Sequence, residues 1–124
     1  RHILLVNSTD IGRTPLVAAQ GALVAGAATQ LSQQFNQGLA AALPALRSNT
    51  PGLTLYTLDL GALTAEVFAN PSTFGFTNVS APCVVATPPS LCTTPNSFFY
   101  WDAFHPTAAT GRLLASRALR ALGR

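Results

Sequence analysis

The sequence contains no lysine and no methionine, and only 9% of its 124 residues are charged. All its cationic side chains are therefore arginines, seven in number, and they are scattered along the chain rather than clustered. A nucleic-acid-binding domain normally concentrates basic residues on one face or along one helix. The composition thus argues against nucleic acid as a partner.

Long hydrophobic runs are also missing, although 48% of the residues are hydrophobic. Gly, Gln, Asn and Thr interrupt every apolar stretch before it reaches the roughly 20 residues that a membrane-spanning helix needs. We therefore expect no transmembrane segment, and an apolar content ample for the core of one domain. There is no initiator methionine or signal-peptide pattern, and a strand-like run begins at once, so we expect a piece of a longer polypeptide.

Cysteine is scarce, since the only two are Cys83 and Cys92, nine residues apart in a proline-rich segment. A disulfide between them would stabilise the fold by roughly 2 to 3 kcal/mol in the loop-entropy description. The alternative is two free thiols, because the spacing by itself indicates neither a metal site nor a redox CxxC. We favour the disulfide, and hence an oxidising compartment.

The first 70 residues read as strand, helix, strand, helix. Residues 2–7 form a short apolar run typical of a buried parallel strand, and Thr14-Pro15 fits a helix N-cap followed by proline at the first helical position. Pro44 and the segment 49–52 are expected to end this helix, before a strand over 53–60 and a helix over 62–69. The apolar face of the long helix is predicted at Val24, Ala28, Leu31, Phe35, Leu39, Ala42 and Leu46.

Two strands joined through a helix predict a βαβ crossover in a parallel sheet, and therefore an α/β fold. The segment 72–96 is expected to be long and irregular, followed by a third strand over 98–101. Since parallel sheets need more strands than these, further strands are expected upstream of Arg1. A final helix over 107–122 should bury Leu114, Ala115, Ala118, Leu119 and Leu122 and expose Arg112, Ser116 and Arg120.

A carboxylate and an imidazole, Asp102 and His105, stand three residues apart just before that helix. One interpretation is that this stretch, with Thr107 or His105 at the N-cap, only caps the helix. The other is half of a catalytic triad, in which a carboxylate holds an imidazole that takes a proton from a nucleophilic hydroxyl. Pro106 favours an extended backbone at His105, which lets the ring project from the loop.

The stretch 99–107, FYWDAFHPT, resembles the last block of the SGNH, or GDSL, family of serine esterases and lipases, whose catalytic Asp and His lie in a D-x-x-H-P-T string. Other segments of the chain also resemble this family, and they occur in the same order as in its members. Residues 6–15 resemble the loop after a late strand of that family, and residues 35–39 resemble its long helix. Residues 70–78 with the two cysteines resemble its secreted members.

The resemblance implies that residues 1–124 are the C-terminal portion of a single three-layer α/β/α hydrolase domain. It also implies a secreted or cell-surface protein, similar to the secreted or autotransporter-type bacterial members of the family. It implies that His105 is the general base and that Asp102 orients it. No Gly-Asp-Ser string occurs, so the nucleophile and oxyanion donors are expected in the N-terminal half of the same enzyme, and this chain alone should be inactive. Ser8 lacks the glycines of a nucleophile elbow and is interpreted as a loop hydroxyl.

The same resemblance implies an ester or lipid as the small-molecule substrate, and neither a metal nor an organic cofactor. Most of the aromatic side chains near the motif are expected in the core, and one or two in an acyl pocket: Phe74, Phe76, Phe98, Phe99, Trp101 and Phe104. The alternative function is a noncatalytic binding or structural module that kept the scaffold without the serine.

Overall fold

A computed structural model describes all residues 1–124 as an α/β arrangement of four helices and six strands. The predicted α/β class is confirmed, since helices alternate with parallel strands over the first 70 residues. None of the helices combines the length and the apolar character needed to span a bilayer. In chain order the elements are β1 His2–Val6, α1 Pro15–Ala18, α2 Ala22–Asn49, β2 Thr54–Leu58, α3 Leu60–Ala69, β3 Asn78–Pro82, β4 Val84–Ala86, β5 Pro89–Leu91, β6 Phe98–Tyr100 and α4 Ala108–Ala121.

The strands β1 and β2 pair in parallel, with Leu4 opposite Tyr56. A parallel pair cannot be closed by a tight turn, and α2 supplies the crossover. The carboxyl ends of both strands therefore lie at the same edge, where β1 leads into a loop with a 3₁₀ turn at Ile11–Arg13 and β2 leads into α3.

The predicted helix start is confirmed, because Thr14 caps α1 and Pro15 is its first residue. The helix then breaks at Gly21, whose φ of 96° lies in the region that glycine adopts easily, and α2 begins at Ala22. Of the two expected helix-ending features, the segment 49–52 is confirmed and the prediction for Pro44 is wrong. Proline removes one backbone donor, yet α2 continues to Asn49 and stops where Thr50 leaves the helical conformation.

The predicted apolar face of α2 is largely not its buried face. Val24, Leu31 and Phe35 are exposed, with 57% of Phe35 accessible, whereas Ser32 is buried. Ser32 and Asn36 lie on the side that meets the loop after β1, and their side chains bond to its backbone. Buried backbone N–H and C=O groups need hydrogen-bond partners. The inner face of α2 is therefore the one that offers such partners to the loop, not the most apolar one.

The segment 72–96 is not irregular, contrary to expectation. It contains a 3₁₀ turn at Pro71–Phe74, the strand β3, and an antiparallel hairpin of β4 and β5. Cys83 and Cys92 flank this hairpin and form a disulfide, with a Cα to Cα distance of 4.8 Å. The N–H of Cys92 also donates to the carbonyl of Cys83 at 2.8 Å, so the base of the hairpin is closed twice.

The third predicted strand exists as β6, but it pairs in parallel with β3 rather than joining β1 and β2. The final helix is confirmed as α4, with Arg112, Ser116 and Arg120 exposed as expected. Ala115 and Leu119, predicted to be buried, are exposed instead. The buried centre lies between α3, β6 and α4 and consists of Leu63, Val67, Phe76, Phe99 and Tyr100.

Gly12 is the point where the loop after β1 comes closest to α2. A Cβ atom on Gly12 would overlap the carbonyl oxygen of Ala25 and the hydroxyl of Thr29. We expect Gly12→Ala to lower the free energy of unfolding by about 1 to 3 kcal/mol, as overpacked sites do. The matched control is Gly26→Ala within α2, where nothing lies within 4 Å.

The control should raise stability by roughly 0.5 to 1 kcal/mol, because alanine loses less backbone entropy in a helix than glycine. Urea unfolding followed by circular dichroism measures both variants. Equal stability of Gly12→Ala and the wild type would contradict the close approach.

Candidate active site

Asp102 and His105 lie in a tight turn between β6 and α4. The N–H of Trp101 donates to the carbonyl of His105 at 2.8 Å and closes the turn. On its far side the N–H of Thr107 donates to the carbonyl of Phe99 at 2.9 Å, which anchors the turn to β6. The turn is therefore held at both ends by backbone bonds.

The Asp102 carboxylate organises the interior of the turn. Its Oδ1 accepts from the N–H of Phe104 at 2.8 Å and from the N–H of His105 at 2.7 Å. Its Oδ2 lies 2.8 Å from Nδ1 of His105. One carboxylate thus fixes both the backbone conformation and the orientation of the imidazole ring.

These two backbone N–H donors lower the pKa of Asp102 to about 2, with the bond to the His105 ring adding to the effect. The His105 side chain is 71% exposed and the Asp102 side chain 39%. Only Nδ1 of the ring has a hydrogen-bond partner, and Nε2 remains available. An oriented imidazole with one free nitrogen is the arrangement that a general base needs.

Helix capping, the competing interpretation of this stretch, belongs to Thr107 alone. Its Oγ1 accepts from the N–H of Thr110 at 3.3 Å, and its hydroxyl donates to the carbonyl of Phe98 at 2.7 Å. Neither Asp102 nor His105 bonds to the first turn of α4. The Asp102–His105 pair is therefore not explained by the helix start.

The loop after β1 and the helix α1 support the turn from one side. The N–H of Leu16 donates to the carbonyl of Ala103 at 2.8 Å. The ring of Phe104 meets the His105 ring edge to face, with centroids 5.7 Å apart. These contacts connect the pair to the edge of the sheet where β1 ends.

Sequence reasoning missed a polar network at that edge. Asn7 donates to Asp59 at 2.8 Å and accepts from the N–H of Gly61 at 3.0 Å, which ties the ends of β1 and β2 together. Asn36 of α2 bonds to both the N–H and the carbonyl of Ser8, each at 2.8 Å. The available signal was Asn7, the polar residue that directly follows the apolar run of β1.

The other hydroxyls near the site have different roles. The Ser8 hydroxyl donates to the carbonyl of Thr9 and makes no bond to His105, which agrees with its interpretation as a loop residue. The Tyr100 hydroxyl is buried without a partner, and burial raises the pKa of Tyr100 to about 12. No cluster of three or more His, Cys, Asp or Glu side chains could hold a metal ion.

The sequence of this chain is similar to those of several plant proteins. No protein-family model matches the chain. Three proteins of Arabidopsis thaliana named GDSL esterase/lipase are similar, at 28%, 26% and 25% identity over 94%, 98% and 96% of this chain. Over nearly its whole length the chain is therefore similar to proteins of the GDSL, or SGNH, family.

The chain spans about a third of the length of those relatives, between 36% and 37%. A fourth plant relative of the same name is 29% identical over 72% of this chain. All four come from a plant, and they give no support to the expected likeness to bacterial autotransporter-type members.

The low pKa of Asp102 leads to a pH prediction. Because the folded value lies below the value of about 3.9 for an unperturbed aspartate, ionised Asp102 stabilises the folded turn above that pH. This contribution is lost as the pH falls through about 2. We expect the Asp102 carboxyl carbon to titrate near pH 2 in an NMR experiment, and a midpoint close to 3.9 would contradict the two backbone hydrogen bonds.

Proposed function

We propose that this chain supplies the general base and its orienting carboxylate to a serine hydrolase that cleaves carboxylic esters or lipids. The observation that carries the proposal is the 2.8 Å contact between Nδ1 of His105 and Asp102, in a ring whose other nitrogen is free. The names of the plant relatives, GDSL esterase/lipase, support an ester as the substrate class.

In the proposed reaction, Nε2 of His105 takes the proton of a serine hydroxyl as the serine oxygen attacks the ester carbonyl. The imidazolium then returns that proton to the leaving alcohol. A water molecule releases the acid from the acyl-serine, with His105 again acting as base. Asp102 remains ionised throughout, which its pKa of about 2 favours, and stabilises the imidazolium that forms.

The nucleophile and the oxyanion donors are proposed to come from polypeptide outside these 124 residues. Two observations support this division: the chain corresponds to about a third of its relatives' length, and His105 is 71% exposed. The exposed apolar side of α2, including Leu31 and Phe35, and the unpaired edge of β1 provide surfaces that such a segment could cover. The proposed partner is therefore the N-terminal half of the same enzyme.

We also propose a secreted or cell-surface location. The disulfide between Cys83 and Cys92 supports it, since structural disulfides form and persist mainly in oxidising compartments. Both cysteines are used in this bond, and no free cysteine remains.

The first test removes the base. In the polypeptide that carries these residues, His105→Ala should lower kcat for a p-nitrophenyl ester by roughly 10³- to 10⁶-fold, as loss of a triad histidine does. Near-ultraviolet circular dichroism should stay unchanged, because the ring is exposed. The matched control is His2→Ala: His2 is the only other histidine, bonds only to Tyr56 and lies at the start of β1.

The control should retain wild-type turnover. If His105→Ala is as active as His2→Ala, His105 is not the general base. That result would favour the interpretation of the chain as a noncatalytic binding module.

The second test separates the orienting role of Asp102 from a structural one. Asp102→Asn keeps an oxygen for the N–H groups of Phe104 and His105 but presents an NH₂ group to the ring, which favours the wrong tautomer. We expect kcat to fall by about 10⁴-fold, the effect seen in other triads, with KM changed far less. The control is Glu66→Gln, an exposed carboxylate on α3.

Rates measured against substrate concentration distinguish these outcomes. A loss confined to KM, or equal rates for Asp102→Asn and Glu66→Gln, would contradict the orienting role.

A further inference from the structure

The hairpin of β4 and β5 is attached to the rest of the chain only at its base. Residues 85–91 are all exposed, and none of them forms a hydrogen bond outside the hairpin. Neither strand contributes to the buried centre between α3, β6 and α4. A two-stranded hairpin by itself is at best marginally stable in water. The disulfide between Cys83 and Cys92 is therefore the covalent link that keeps the base of the hairpin closed.

The base of the hairpin is bonded to the residues that lead into the Asp102–His105 turn. The N–H of Cys83, which is buried, donates to the carbonyl of Tyr100 at 3.0 Å. The N–H of Val84 donates to the carbonyl of Trp101 at 2.7 Å. The disulfide thus lies one residue away from a hydrogen bond that reaches the start of the turn.

Trp101 is held from two directions. Its carbonyl accepts from the hairpin, while its N–H donates to the carbonyl of His105 at 2.8 Å within the turn. Because a peptide bond is planar, the bond from Val84 to this carbonyl also fixes the plane that carries the N–H of Asp102. The orientation of that plane sets the direction in which the chain enters Asp102. It therefore affects where the carboxylate meets the His105 ring, at 2.8 Å in this structure.

We propose that the Cys83–Cys92 disulfide is a positioning element for the candidate base, an inference that rests on the proposed function. The disulfide holds Val84 against the Trp101 carbonyl, and this bond holds the peptide that leads into the turn. Without the disulfide the turn opens more often, so fewer molecules keep the imidazole in the orientation that proton transfer requires. Neither cysteine is a catalytic residue, since both act through the turn.

The first test opens the disulfide in the polypeptide that carries these residues. Cys92→Ser breaks the bond and leaves Cys83 in its buried position. Amide hydrogen exchange of Phe104 and His105, whose N–H groups bond to Asp102, should become at least about tenfold faster. The kcat for a p-nitrophenyl ester should fall by roughly 10- to 100-fold, the effect of a small misplacement of a catalytic group. KM should change far less, because the turn positions the base and does not bind the ester.

The matched control is Leu91→Ser, which places the same new residue one position earlier and keeps the disulfide. Leu91 is 63% exposed, at the end of β5. Exchange at the turn and kcat should both stay within about twofold of the wild type. Near-ultraviolet circular dichroism checks that each variant is folded under the assay conditions.

A second variant breaks the next link and keeps the disulfide. Val84→Pro removes the N–H that donates to Trp101, since proline has no backbone donor, and should reproduce both effects. The matched control is Ala86→Pro in the same strand, whose N–H makes no bond outside the hairpin. This pair carries the test if Cys92→Ser does not fold. In the double variant the loss should exceed the larger single loss by no more than about twofold, because both changes break one path.

The outcomes separate this inference from the proposed function. If exchange at Phe104 and His105 is unchanged in the folded variants, the disulfide does not position the turn, even where His105→Ala abolishes turnover. Two losses that multiply in the double variant would also overturn the inference. If exchange quickens as expected while His105→Ala retains full activity, the proposed catalytic role fails, and the disulfide remains a positioning element of the turn.

Discussion

The Asp102 carboxylate is the centre of the candidate site, because it makes every bond that shapes the turn from within. It accepts from two successive backbone N–H groups and holds the imidazole of His105 at 2.8 Å. The same two donors stabilise the ionised carboxylate, so the geometry and the charge of the pair have one cause. Protonation of Asp102 would therefore weaken its bonds to the backbone and to the ring together.

The turn is positioned by β6 and α4, and it is connected to the rest of the chain through α1. The bond between Leu16 and Ala103 joins the Asp102–His105 turn to α1, which follows the loop after β1. That loop is in turn fixed by Asn36 and Ser32 of α2. A series of hydrogen bonds to backbone groups thus connects the edge of the sheet to the turn that carries the imidazole.

The inner face of α2 shows why part of the packing could not be predicted. Apolar periodicity assigned Leu31 and Phe35 to the core, yet both are exposed, and Ser32 and Asn36 face inward. Periodicity identifies an apolar stripe but not the surface that the stripe meets. This chain spans about a third of the length of its relatives. The surface that would cover the exposed apolar stripe of α2 is proposed to lie in polypeptide outside these residues. The hairpin of β4 and β5 was missed for another reason: each strand is only three residues long and β5 begins with a proline, so the local signal for a strand is weak.

Local features were predictable from the sequence alone: the Thr14-Pro15 helix start, the strand β1, the final helix, and the D-x-x-H-P-T string with its family resemblance. Each depends on neighbouring residues, whose conformational preferences act over a few positions along the chain. Three features emerge only in the folded chain: β6 pairs with β3, Ser32 and Asn36 of α2 face inward, and Phe104 and Leu114 line one cavity. These features bring together residues far apart in sequence, and their stability depends on hydrogen bonds and packing that no local pattern specifies.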